Sequence, residues 1–382
     1  MIDKTILVIP SWYSNYRNPV RGSFIKEQAL ALRDAGYKIV VAFCELVPIK
    51  SIFKVRPYKI VRECDSDLIT FKLYAPSFGS FRRKTWFERY SKFYRKVFKK
   101  ICSKYKIDLI HAHSFSPAAY VAAANKNLFN CPIVYTEHFS GVHLGLNDYF
   151  HRAYMYTISH VDSIIAVSNV LKESMIREGG NGNEISIVPN ILNDNFRYSR
   201  QKNTLHSGIK IISVGGLVNN KGHDLTIKAF ARTFKENDAV LTIVGQGKEE
   251  RNLKNLCKEL GIQDKVFFAG TKAREEVAKM MAESSFFVLS SKNETFGVAY
   301  IEAMACGLPV IGTKCGGFEE IFFDGCGEIV EVGDIDGLCN AMKKVSTNLN
   351  RYNKEYISST IISRFSSSAF VEKIEMIYHK FI

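Results

Sequence analysis

Two doubly wound α/β domains in tandem are what this chain of 382 residues predicts. Short apolar runs ending in polar residues or glycine alternate with helix-length amphipathic stretches, the pattern of a parallel sheet with helices on both faces. The alternation lapses once, near residues 190–208, and then restarts. Length agrees, because it exceeds one ordinary core and suits two of ~150–200 residues.

In the first half the strand-like runs are "KTILVIP" (4–10), "KIVVAF" (38–43), "DLIHAH" (108–113), "PIVYTEH" (132–138) and "SIIAVS" (163–168). Between the first two, "SFIKEQALALRDAG" (23–36) has helical periodicity and Gly36 as its stop. "NILNDNFRYSRQKNTLHSG" (190–208) is polar and turn-rich and reads as a linker. Beyond it come "IKIISVGG" (209–216), "AVLTIVGQG" (239–247), "KVFFAG" (265–270), "SFFVLSS" (285–291), "PVIGT" (309–313) and "GEIVEVGD" (327–334). The closing stretch "SAFVEKIEMIYHKFI" is helical and suited to packing back on the domains.

Composition, at 46% hydrophobic and 24% charged residues, describes a globular protein rather than a disordered one. Apolar runs such as "IVVAF" fall far short of the ~20 residues of a membrane span. "MIDKTILVIPSW" lacks the marks of a signal peptide. The nine cysteines show no Cys-x-x-Cys and no zinc spacing, so buried, reduced thiols and a cytoplasmic location are expected. His111 and His113 suggest a metal pair or simple alternation at a strand end; without companion ligands no metal is expected.

In doubly wound sheets ligands sit beyond the carboxyl ends of the strands, and two such domains are expected to face one another across a cleft. "SVGGLVNNKGHDLTIKAF" places Gly215, Gly216 and then Lys221-Gly222 between a strand and a helix. Such a turn lets backbone N–H groups and a lysine meet a phosphate, or is only a tight turn. In "KNETFGVAYIEAMACG", Glu294 lies in the loop and Glu302 about two turns into the helix. Paired carboxylates there suit the hydroxyls of a sugar and of a ribose. Glu302 as a solvated helix residue is the bland reading, and its apolar neighbours Ile301, Ala303, Met304 and Ala305 argue against it.

"VGGLVNNKG", "VGQG", "VFFAG", "ETFGVAYIEAMACGLPVIGT" and "CGGFEE" resemble, in order and spacing, the C-terminal domain of the family 4 glycosyltransferases. "IPSWYSNYRNPVRGSFIKEQALAL", "DLIHAH", "YTEH" and "AVSN" resemble that family's N-terminal domain. The resemblance implies the GT-B fold, two Rossmann-like domains facing across a cleft, and retaining transfer from a nucleotide diphosphate sugar to a glycan or lipid-linked acceptor. It implies an acceptor-binding domain at 1–195, a donor-binding domain at 205–360, and a C-terminal helix at 361–382 packing across both.

Carried over by position, Glu294 matches the acid on the donor sugar, Glu302 the acid on the ribose, and Lys221 the lysine on the diphosphate. Phe296, Gly297 and Val298 match backbone donors at a helix start. His138 matches the histidine near the reacting sugar, Gly22 the glycine that lets backbone approach the diphosphate, and Lys272 a residue near the base. One departure stands out: the family's usual Arg in "VG-R-L" is Gly216 here, leaving Arg21, Asn219 or Asn220 as substitutes.

No metal or other cofactor is expected, since Lys221 and helix N-termini can meet the leaving diphosphate. A hydrolase would need carboxylates straddling the bond, whereas Glu294 and Glu302 share one domain. A nicotinamide dehydrogenase lacks its complete Gly-x-Gly-x-x-Gly here, and a phosphorylase lacks a signal for its pyridoxal-phosphate lysine. A non-catalytic sugar-nucleotide-binding protein remains the alternative.

The segment 82–106 holds eleven Lys/Arg and one Glu, or +10 of a net +14. Trp86, Tyr90, Phe93, Val97 and Ile101 make its apolar face at helical spacing. Packing explains that face, but so concentrated a charge predicts an anionic partner. No nucleic-acid motif accompanies it, so peripheral docking on the inner face of the plasma membrane is expected.

Overall fold

The structure, a computed structural model, describes residues 3–14, 21–48, 54, 57–77, 85–199 and 208–382. The chain forms two compact units, Met1–Ile191 with Phe370–Ile382, and Leu192–Ala369.

The first unit holds strands β1 (Thr5–Pro10), β2 (Lys38–Pro48), β3 (Ile60–Asp65), β4 (Leu68–Ser77), β5 (Leu109–His113), β6 (Ile133–Glu137), β7 (Ser163–Ala166) and β8 (Ile185–Ile187). Its helices are α1 (Ser23–Asp34), α2 (Trp86–Cys102), α3 (Tyr120–Ala124), α4 (Ser140–Leu144), α5 (Asp148–Ile158) and α6 (Asn169–Arg177). The sheet order is β3-β4-β2-β1-β5-β6-β7-β8, parallel except for β3 against β4. Strand order reverses beside β1, so β1 and β5 flank the topological switch point. Ile6, Leu7, Val8 and Ile9 are all at most 1% exposed, which is why β1 reads as a continuous apolar run: both its faces are covered.

Helix α2 buries Phe87, Tyr90, Tyr94, Val97, Phe98 and Ile101. The expected face is corrected at two positions: Trp86 and Phe93 are only partly buried. The helix packs on β2 and β4 and its buried stripe includes Tyr94 and Phe98, while Phe93 leans on Tyr58 and Trp86 on Tyr90 and Phe150. At ~1.5–3 kcal/mol for each large apolar side chain, this face fixes the helix by packing alone.

The second unit holds β9 (Ile209–Val214), β10 (Ala239–Val244), β11 (Val266–Gly270), β12 (Phe286–Leu289), β13 (Val310–Thr313) and β14 (Gly327–Val330), all parallel, in the order β11-β10-β9-β12-β13-β14. Its helices are α7 (His223–Phe234), α8 (Glu250–Glu259), α9 (Arg274–Ala282), α10 (Val298–Ala305), α11 (Gly317–Ile321), α12 (Ile335–Thr347) and α13 (Lys354–Phe365). Here the switch point falls between β9 and β12.

Two boundaries differ from the sequence reading. Of the linker at 190–208, residues 200–207 lie outside the described residues, but Ile191, Leu192 and Phe196 are buried, so its start is core. The stretch 361–382 is not one helix. Helix α13 stays with the second unit, where Ser358 Oγ donates to the Ala305 carbonyl of α10 at 2.6 Å. Helix α14 (Ser367–Tyr378) instead gives Phe370, Ile374, Ile377 and Tyr378 to the core around Ile6, Val8 and Ile25. The cysteine expectation is also corrected: all nine are free, but Cys64 and Cys102 are exposed and Cys131 is partly so.

Candidate active site

The second unit concentrates its chemistry at the β9/β12 switch point. Lys221 lies in the loop after β9, Glu294 in the loop after β12, and Lys221 Nζ stands 2.5 Å from Glu294 Oε1. Ser291 Oγ donates to the same oxygen at 2.7 Å. The Glu294 backbone is fixed as well: its N–H donates to the Cys315 carbonyl at 3.0 Å, and its carbonyl accepts from Gly317 N–H at 2.8 Å. The "CGGFEE" stretch thus holds the acid in place, and Glu294 is 7% exposed.

The two loops are also tied to each other. Asn220 Nδ2 donates to the Asn293 carbonyl at 2.9 Å, Lys292 N–H donates to the Asn220 carbonyl at 2.8 Å, and Lys292 Nζ donates to Asn219 Oδ1. Gly222 caps α7 at φ 64°, where a Cβ would drive into the Ser290 backbone carbonyl. Only glycine lets these strand ends approach so closely.

Gly215 continues the sheet, its N–H donating to the Val244 carbonyl at 3.0 Å. At Gly216 a Cβ would meet nothing nearer than the Gln246 carbonyl oxygen at 3.9 Å. Space does not demand glycine there. Beside them His223 is 2% exposed, and burial lowers its pKa to about 4. Phe296 is buried, Gly297 caps α10 and Val298 begins it. Lys272 precedes α9 and pairs with Glu276 at 3.4 Å.

Glu302 is not a solvated helix residue. It is 2% exposed, and Arg274 Nη1 binds its Oε1. The Arg274 guanidinium lies 5.2 Å from the centre of the Phe196 ring. Sequence reasoning missed the roles of Arg274, Ser291 and the 315–317 loop: Arg274 and the loop support an acid from a distant segment, and Ser291 turns its hydroxyl onto Glu294 from three residues away.

In the first unit, Gly22 caps α1 at φ 70°, and a Cβ there would collide with the Trp12 backbone carbonyl. The turn after β1 and the start of α1 are therefore in close approach. Arg21 is already engaged, with Nη1 2.7 Å from Glu45 Oε1. Asn219 and Asn220, the other substitutes considered for the missing arginine, have their side chains in the loop ties described above.

His138 follows β6, with Nε2 3.1 Å from His113 Nδ1 and its ring 5.0 Å from that of Phe24. Burial lowers its pKa to about 3, opposed by a hydrogen bond with Asn190, so it is a neutral imidazole at pH 7. His111 meets Thr136 Oγ1 at 2.7 Å and the Tyr378 hydroxyl at 2.6 Å, so both its ring nitrogens are used as in a core histidine. Glu137 accepts from the N–H groups of His138 and Phe139, each at 2.7 Å; burial pushes its pKa up. Ser114, at φ 65°, receives the His138 N–H on Oγ at 3.2 Å. A non-glycine residue in that region marks strain at the strand end. Neither Glu137 nor Ser114 was singled out in the sequence, since their roles depend on where β5 and β6 end side by side.

Of the basic segment, Arg82, Arg83 and Lys84 lie outside the described residues. Arg89 donates to the Pro76 carbonyl, and Arg95 to Asn125 and Asn127. Lys92, Lys96, Lys99 and Lys100 are exposed and make no ion pair with described residues. Among the described residues no helix is long and apolar enough to cross a membrane.

Comparison with known proteins adds three findings. Residues 22–196 match the family model described as "Glycosyltransferase Family 4", and residues 195–359 that described as "Glycosyl transferases group 1". N-acetyl-alpha-D-glucosaminyl L-malate synthase of Bacillus anthracis is 29% identical over 73% of this chain and 76% of its own length. The GPI3 subunit of phosphatidylinositol N-acetylglucosaminyltransferase from Saccharomyces cerevisiae is 25% identical over 71% of this chain, which spans 62% of that subunit. The fold is shared with HepE of Anabaena, solved with UDP and glucose: TM-score 0.78 at 19% identity, covering 99% of this chain and 100% of the other.

Proposed function

This chain belongs to glycosyltransferase family 4, with the GT-B fold, and from that premise we propose that it moves a hexose-type sugar, with retention, from a nucleotide diphosphate sugar to a glycan or lipid-linked saccharide in surface polysaccharide synthesis. The observation that carries the reading is the Lys221–Glu294 pair, a cation and a carboxylate locked together at the β9/β12 switch point.

Departure of the diphosphate builds negative charge on the leaving oxygens and positive character on the sugar. Lys221 meets the first as a fixed point charge, helped by the N–H groups of Phe296, Gly297 and Val298 at the start of α10. Glu294 accepts hydroxyls of the sugar, and its hydrogen bonds strengthen as the ring becomes electron-poor. Glu302 takes the ribose hydroxyls. Gly215 and Gly216 admit the diphosphate close to backbone, and Lys272 stands by the base. His138, being neutral, positions the sugar through hydrogen bonds rather than as a charged acid. These groups supply the charge stabilisation, and the reading calls for no metal.

The exposed lysines of α2 support peripheral docking on the anionic inner face of the plasma membrane, where a lipid-linked acceptor lies. The test is a donor-panel assay, with and without chelator, scoring which nucleoside diphosphate is released in the presence of membrane-extracted acceptors. Release of one diphosphate with sugar transferred, unaffected by chelator, is expected. Tight binding without turnover across the panel would favour the non-catalytic alternative.

A further inference from the structure

Glu302 presents a physical problem that its neighbours solve. A carboxylate 2% exposed on a mostly apolar helix stays charged only with a partner, and Arg274 provides it through Nη1. Arg274 is itself constrained: its guanidinium lies against the Phe196 ring at 5.2 Å, and Phe196 is 1% exposed. The planar cation is thus set by the ring on one hand and the carboxylate on the other. The two helices that carry the pair, α9 and α10, pack together. A vicinal diol is gripped well only when both carboxylate oxygens face its two hydroxyls. An oxygen ion-paired with arginine still presents acceptor sites to a hydroxyl.

We propose that Arg274 is the positioning residue for the nucleoside half of the donor, holding Glu302 charged and oriented so that the site selects ribose over 2′-deoxyribose. The proposal rests on the reading of Glu302 as the ribose acid. Lysine would keep the charge but not the planar fork or the ring contact. Arg274 therefore acts through Glu302 and touches neither the sugar nor the diphosphate.

The test measures calorimetric affinity for UDP, GDP and ADP and their 2′-deoxy counterparts, together with Tm and the donor KM and kcat. It uses wild type, Arg274→Met, Arg274→Lys and Glu302→Gln. Arg274→Met is expected to weaken the preferred ribonucleotide at least tenfold, bring the ribo/deoxy ratio near one, and raise KM with kcat changed less than threefold. Arg274→Lys, which keeps the buried carboxylate compensated, is expected to fold and to fall between; it decides the matter should the methionine variant fail to fold. A wild-type ribo/deoxy ratio in the Arg274 variants, with the ratio lost in Glu302→Gln, overturns the positioning role alone. A ratio unchanged in Glu302→Gln overturns the ribose assignment and the proposal with it. A lowered Tm with unchanged nucleotide affinity reduces Arg274 to a structural residue.

Discussion

Lys221 Nζ and Glu294 Oε1 lie 2.5 Å apart across 73 residues of sequence. Because Glu294 is nearly buried, removing the lysine strands a carboxylate. Lys221→Ala is expected to lower stability by about 1–3 kcal/mol and turnover on the order of 100-fold. Glu294→Gln, which keeps shape but not charge, is expected to lose turnover to a similar degree with a smaller stability change. The double variant should cost less than the sum of the two, since residues in one ion pair are not independent. Steady-state kinetics and thermal melts on all four proteins check this, and strict additivity would refute the coupling.

The open space at Gly216 leads to a gain-of-function test. A Cβ there meets only the Gln246 carbonyl oxygen, at ordinary contact distance, so Gly216→Arg should fold with little change in Tm. It should also place a second cation near the diphosphate and rescue part of the turnover lost in Lys221→Ala. Product inhibition by free nucleoside diphosphate, measured in both backgrounds, is expected to tighten. Weaker inhibition would show that the loop binds its ligand elsewhere.

Acid sensitivity follows from the buried histidines. His111 and His138 titrate near 3 and His223 near 4 in the folded chain, all lowered chiefly by burial. Unfolded, each takes up its proton near pH 6.5. Their contribution to stability is therefore complete above about pH 6.5 and is lost as pH falls toward the folded values. Glu137, raised by burial, has the opposite sign and offsets part of the loss. Tm should fall steadily from pH 7 to pH 4.5, and His223→Gln should flatten that slope. A Tm independent of pH over this range would contradict the burial of these imidazoles.

For α2, vesicles containing anionic lipid should sediment the wild-type protein at low salt and release it at high salt. A variant carrying Lys96, Lys99 and Lys100→Glu should bind markedly less, at unchanged Tm, because these side chains are exposed. Equal sedimentation of the two proteins would return the helix to a purely structural role.

Much of this was legible in the sequence, for identifiable reasons. Parallel strands covered on both faces read as plain apolar runs, so β1, β9 and β12 were readily seen. The β3–β4 hairpin was not, because its turn residues Ser66 and Asp67, at φ 50° and 64°, adopt a conformation usually announced by Asn-Gly or Asp-Gly. Strand β8 is three residues long, too short for any periodicity. In the site, Lys221, Glu294 and Glu302 declared themselves as charges in apolar or glycine-rich surroundings. Arg274 sits in an ordinary charged helix start, "KAREE", and only the fold brings it to Glu302.

The placement of α14 bears on how the protein is made. The first unit has all eight of its strands by Ile187, yet the residues of α14 that cover Ile6, Val8 and Ile25, from Phe370 on, come only after the second unit has been translated. The second unit is one continuous segment and can fold as soon as it clears the ribosome. The first must wait with an apolar surface uncovered until Phe370, Ile374, Ile377 and Tyr378 arrive. Its closure, signed by the Tyr378 hydroxyl on His111 at 2.6 Å, thus follows synthesis of the whole second unit, and the nascent N-terminal half is the stage at which a chaperone has something to hold.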